Sequence, residues 1–240
     1  MRIDPENVPL PRETLQRIRE RGAMPLLRFL DADEHVEEFM SGSIRFGHLQ
    51  GYREADKARK DENEGIRVRT TPNALLWVGG IDLSGSEVTE KLTYAGTEFL
   101  YALCLMAPRA SSVSRVLNVE HLIKIGRKWG EKCVVVLDGM SFWERCLDAL
   151  KAEDRLFAGP VEYYEPRTAP ATTSPSKGYK REERPWDNEF HLRWAFRKTR
   201  DFIAEQECRI VLERKTPPKE RMYLHVQPLS DIAYVRDIGV

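Results

Sequence analysis

The spacing of apolar and polar positions changes repeatedly along this chain, and each change marks a predicted element. "PRETLQRIRERG" (11–22) reads as a short helix, with Pro11 at its start and Gly22 just past its end. "PLLRFLD" (25–31) reads as a strand. In "DADEHVEEFMSG" Asp31 is the expected N-cap, Glu34 completes a capping box three residues on, and Gly42 is the C′ residue that ends the helix. "SIRFGHL" (43–49) is the next strand, so strand, short helix and strand follow closely.

Residues 50–65, "QGYREADKARKDENEG", are almost free of aliphatics and read as an ordered loop or exposed helical turn. Strands are expected at 74–83, at 97–108 ("TEFLYALCLMAP", the strongest apolar run) and at 131–138. Helices are expected at 118–130 and 140–155. A strand at 159–166 precedes "RTAPATTSPSKGYKREERP", whose Pro, Ser and Thr content predicts a mobile loop over about 167–187. A helix from Asn188 to Ile203, the strand in "DFIAEQECRIVLE" (201–213), and strands in "RMYLHVQ" and "IAYVRDI" complete the chain. Strands outnumber helices without alternating with them. This predicts an α+β fold with a split, largely antiparallel sheet and flanking helices. The organisation expected is a helical extension over 1–24 and a single α+β domain over 25–240.

Composition narrows the partners. The 240 residues suffice for a sizeable core, and 38 basic residues balance 38 acidic ones, so no global field favours nucleic acid or an acidic membrane. Cys104, Cys133, Cys146 and Cys208 form no CxxC pair and read as free thiols of a reducing compartment. No run approaches the ~20 apolar residues of a spanning helix, and the first residues lack an apolar leader core. The expectation is a soluble cytoplasmic protein without membrane contact. Several chemistries lack their motifs. Neither GxGxxG nor GxxxxGK[ST] occurs, GxSxG is absent, and His35, His48, His121, His191 and His225 are far apart in sequence, so no metal site is expected.

One constellation remains. Glu205 and Glu207 stand two apart at the mouth of the late strand, with Arg209 next at the same spacing. Residues two apart on a strand share a face, so the pair is either a solvated edge or a site. Just upstream, on the predicted helix, Arg193, Arg197 and Arg200 would form a basic stripe able to steer a phosphate backbone.

The order "FMSGSIRFGHLQGYR", "LYALCLMAP", "WGEKCVVVLD", "VEYYEP", "FRKTRDFIAEQECRIVL" and "IAYVRDI" resembles a large bacterial family known only as a domain of unknown function. Its late block corresponds here to Phe196, Lys198, Phe202, Glu205, Glu207 and Arg209, with Phe202 where tryptophan is usual. Its early block departs too, having Tyr52, Arg53 and Glu54 after "FGHLQG". In outline the chain also resembles DarT-type ADP-ribosyltransferases. That resemblance implies an ADP-ribosyltransferase-like fold and NAD as substrate rather than as a permanently bound cofactor. It implies Arg28 holding the dinucleotide, Phe46 or Tyr52 stacking on nicotinamide with Arg53 alongside, and Glu207 as the catalytic carboxylate assisted by Glu205. A role as a toxin or phage-defence effector modifying nucleic acid or protein follows from the same resemblance.

The chemistry has its own logic. Breaking the nicotinamide–ribose bond passes through an oxocarbenium-like state, which a carboxylate facing the developing charge stabilises. A guanidinium suits pyrophosphate because it donates parallel hydrogen bonds and stays charged. A second carboxylate nearby can orient the acceptor or take its proton. In this scheme the 50–65 segment is a lid, with Tyr52 and Arg53 facing the ligand and Asp61 and Glu64 bracing it. Two rivals stand beside it. One is a non-enzymatic binding or sensor module for a protein or nucleic-acid partner, with structural carboxylates. The other is a metal-dependent nuclease using Glu205, Glu207 and Asp61.

Overall fold

The computed structural model describes residues 2–3, 10–21, 24–53, 65–74, 77–78, 81–82, 85–93, 96–108, 117–118, 120–165, 167–168, 190–215 and 221–239. Expectations for Asp61, Glu64 and most of the 167–187 loop lie outside the described residues. The helices are α1 (Arg12–Arg21), α2 (Asp33–Met40), α3 (Glu120–Gly126), α4 (Gly139–Asp148) and α5 (Phe190–Ala195).

Eight strands form the main sheet: β1 (Leu26–Leu30), β2 (Ser43–His48), β3 (Leu100–Met106), β4 (Lys132–Val136), β5 (Arg155–Pro160), β6 (Glu207–Glu213), β7 (Arg221–His225) and β8 (Ala233–Asp237). All their pairings are antiparallel. The continuous path is β5-β6-β3-β1-β4-β8, and β2 also pairs with β3 and carries β7. The chain is therefore α+β around a large antiparallel sheet.

The sheet divides at β3. Along one flank of that strand, β1 pairs only at Leu27↔Met106, whereas β2 pairs at Gly47↔Ala102 and His48↔Tyr101. Two arms, β1-β4-β8 and β2-β7, leave the same strand and open a fork beside Cys104. Helix α2 joins the arms. Gly42 ends it at φ +92, where a Cβ would stand 2.2 Å from the Val226 carbonyl oxygen, so only glycine fits.

Strand alternation sorts the core. Leu26 and Leu30, Tyr101, Leu103 and Leu105, Val134 and Val136, and Ile210 and Leu212 pack with Val36 and Phe39 of α2 and Phe142 and Cys146 of α4. The opposite face carries two smaller clusters. Leu27, Phe29, Met106, Cys133 and Val135 meet Ile18 of α1 and Leu122 of α3. Leu100, Ala102 and Val211 meet Leu192 and Ala195 of α5. Helix α1 thus shares the domain's core, and Arg17 ties it to Asp138 at 2.6 Å.

Several local expectations differ from the structure. The N-cap of α2 is Ala32, without a side-chain cap bond, because Asp31 instead engages His35 Nδ1 at 2.9 Å. Helix α4 stops at Asp148, and Arg155 already begins β5, paired with Glu213. The helix expected over 188–203 survives only as α5. Arg197–Thr199 pairs in parallel with Glu162–Tyr164, and Arg200–Glu205 is a 3-10 turn. A tertiary strand partner outweighs helical propensity there. A polar ribbon, Ile66–Ala74 with Ser86–Thr93, has no counterpart in the expected elements. Glu87, Thr89, Lys91 and Thr93 are exposed on it, and its register breaks between Thr71 and Ala74, across Pro72.

Candidate functional site

On the face that carries the two smaller clusters, Ala102 belongs to one and Met106 to the other. Cys104 lies between them, opposite Arg209 in register. Polar groups gather at this seam.

Glu207 opens β6 and is 5 % exposed, and Arg209 is 1 % exposed. Arg209 Nε donates to Glu207 Oε1 at 2.5 Å, and its Nη1 to the Ala195 carbonyl at 2.5 Å. Lys198 Nζ bridges Glu205 Oε2 at 2.9 Å and Glu207 Oε2 at 3.1 Å, while Lys128 Nζ reaches Glu205 Oε1 at 3.2 Å. The Lys198 ammonium also sits 4.3 Å from the centre of the Phe202 ring, a cation–π contact. The Glu207 backbone N–H donates to the Tyr163 hydroxyl at 2.8 Å.

Glu205 and Glu207 converge, though not as neighbours on one strand. Glu205 ends the 3-10 turn and Gln206 takes a left-handed conformation (φ 46, ψ 47) before β6 begins. The reading of a solvated edge is overturned as well, since both carboxylates are buried. Burial alone would raise the Glu207 pKa, but Arg209 and Lys198 outweigh it and hold the carboxyl below the usual glutamate range. Glu207 is thus a fixed anion rather than a proton shuttle. Each Glu205 oxygen meets a lysine, which leaves it poorly suited to act as a base. Lys198 occupies the seat between the carboxylates that the nuclease reading gives to a metal.

The fork brings other predicted residues to the same seam. Arg28 Nη1 donates to the Cys104 carbonyl at 2.6 Å, at the point where neither arm pairs with β3. Tyr52, in the 3-10 turn Leu49–Arg53, donates its hydroxyl to the Ala102 carbonyl at 3.1 Å. Its phenol is pushed upward in pKa by burial first and then by Cys104, with Arg28 and Glu207 also within electrostatic range. Glu207 is within hydrogen-bonding reach of the Cys104 side chain. Positions 28, 52, 104 and 207 thus meet.

Other residues do not join them. Phe46 is wholly buried in the main core beside Ile44 and Met222, so it has no face to offer nicotinamide. Arg53 is half-buried at the end of its turn. The basic stripe does not form, because only Arg193 lies on α5. Arg197 donates two hydrogen bonds to the Glu162 carboxylate (3.0 and 2.8 Å) and stacks on Trp194, while Arg200 pairs with Glu165 at 3.3 Å. Lys128 and Tyr163 were not expected. They lie 77 and 44 residues from their partners, and no local spacing announces them. Lys198 was visible in the late block but carried no role.

Among the described residues all four cysteines are free thiols, no group of three or more His, Cys, Asp or Glu is gathered to hold a metal, and no helix is long and apolar enough to cross a membrane. No family model, curated protein or solved structure matches this chain. The resemblance described above therefore rests on its own motif residues.

Proposed function

We propose that this chain binds a dinucleotide of the NAD class at the fork and breaks its nicotinamide–ribose bond, transferring ADP-ribose to an acceptor. The observation that supports this reading is the meeting of Arg28, Tyr52 and Glu207 around Cys104. In it, Arg28 is the partner of the pyrophosphate, and Glu207, kept ionised by its cations, faces the oxocarbenium-like ribose. Arg209 and Lys198 fix the carboxylate's orientation, and the nucleotide enters through the fork rather than over a sheet edge. Glu205 is reassigned from assisting base to counter-ion of Lys198 and Lys128. The toxin or phage-defence role and a nucleic-acid or protein acceptor rest on the resemblance alone.

A second reading has its own support. Two carboxylates at most 5 % exposed and surrounded by three cations are what a structural ion network looks like. On that reading the chain is a non-enzymatic binding module with no NAD affinity. Loss of stability in Glu207→Gln does not separate the two, because both expect it. The deciding experiment is calorimetric titration of the wild-type protein with NAD, run beside a nicotinamide-release assay. Binding with release supports the transferase, whereas no binding at millimolar NAD removes it in favour of the module.

A further inference from the structure

Where β1 and β2 part, a shallow solvent-open cleft lies under α2. Arg28 lines it from one arm, Arg45 and Ser43 from the other, and His35 and Glu38 from the helix. Three features distinguish it from an ordinary surface groove. Two arginines line it from separate arms of the sheet, although like charges repel and the folded state gains nothing from placing them on one cleft. Among the described residues none accepts a hydrogen bond or ion pair from the Arg45 guanidinium, which is nevertheless half-buried. The carboxylate of Asp31 can only accept, so it takes the Nδ1 hydrogen of His35 at 2.9 Å and fixes which ring nitrogen remains for a ligand.

We infer that this cleft holds the phosphate group of a phosphorylated sugar. A tetrahedral oxyanion needs donors from several directions, and the guanidinium groups of Arg28 and Arg45 and the Ser43 hydroxyl supply them from both arms. Glu38 decides between a bare phosphate and a sugar phosphate. Its carboxylate repels an isolated dianion but accepts from a sugar hydroxyl carried next to the phosphate. The inference deepens the transferase reading and rests on its placing of the ligand at the fork, since Arg28 reaches from this cleft to the Cys104 carbonyl beside Glu207.

The test is calorimetric titration of the full chain with ribose 5-phosphate, inorganic phosphate and ribose. Wild type, Arg45→Gln and Glu38→Gln are compared, each first shown to be folded by its melting curve. Loss of one charge-assisted contact is expected to weaken ribose 5-phosphate roughly tenfold in Arg45→Gln. Wild type is expected to bind inorganic phosphate more weakly than ribose 5-phosphate, and Glu38→Gln to narrow that gap. Equal affinity of wild type and Arg45→Gln for ribose 5-phosphate, or no binding at millimolar concentration, overturns the inference. Arg45-dependent binding without nicotinamide release from NAD keeps the cleft and removes the transferase. Nicotinamide release with an unchanged KM for NAD in Arg45→Gln does the reverse.

Discussion

Arg209 donates its Nε to Glu207 Oε1 at 2.5 Å, two residues along one strand, and neither side chain reaches solvent. Enclosed charges tolerate the loss of a partner poorly. Glu207→Gln keeps the shape but leaves Arg209 and Lys198 undercompensated, so it should cost about 3 kcal/mol in urea unfolding. Adding Arg209→Met to that variant removes the orphaned cation and should recover at least ~1 kcal/mol of the summed single-variant losses. Strict additivity would mean that the pair does not interact.

The same carboxylate makes stability depend on acid. Its folded pKa lies below the ordinary 4.5 because Arg209 and Lys198 outweigh burial. For a lowered pKa the unfolded chain binds the proton first, so the stabilisation is fully present above about 4.5 and is lost as pH falls below it. Asp138 and Asp154, whose burial is outweighed by bonds from Ser141 and Arg17 and from Arg214 respectively, act in the same direction. Unfolding free energy measured from pH 6 down to pH 3 should fall, and its slope should be shallower in Glu207→Gln. A slope unchanged by the substitution would remove Glu207 from the account.

Gln206 is the residue between the two carboxylates, and its φ of 46° lies where only glycine, asparagine or aspartate sit easily. A β-branched side chain there meets the backbone, so Gln206→Val should destabilise the fold by about 1–2 kcal/mol. Gln206→Gly relieves the strain and gives it back as unfolded-chain entropy, so its melting temperature should stay close to wild type. If valine is tolerated as well as glycine, the left-handed turn is not what joins Glu205 to Glu207.

Tyr52 donates to the Ala102 carbonyl, and its hydroxyl lies 2.9 Å from where a Cβ on Gly47 would stand. Tyr52→Phe should therefore cost about 1 kcal/mol, from one lost hydrogen bond at a buried carbonyl. Gly47→Ala should cost more, because the crowding falls on a ring held at its far end. Thermal unfolding of the two variants ranks them, and the opposite order would mean that the ring is loosely held.

Periodicity and composition were enough for the elements that carry their own signal. The apolar runs became β3 and β4, Gly42 closed α2 as its position required, and the excess of unalternating strands marked an α+β chain with an antiparallel sheet. The pairing of Glu205 with Glu207 was legible too, as a spacing. Its character was not. Whether two carboxylates are solvated or enclosed depends on Lys128, Lys198 and Tyr163, and two of these come from distant segments. The break of the predicted 188–203 helix at Ala195 has the same origin. Arg197–Thr199 finds a strand partner at Glu162–Tyr164, and the basic stripe disappears with the helix. Local sequence fixes what a segment prefers and which face its side chains share. Only the folded sheet, by parting its arms beside Cys104, decided that Arg28, Tyr52 and Glu207 would meet, because electrostatic and strand-pairing partners act through distance in space and leave no period in the chain.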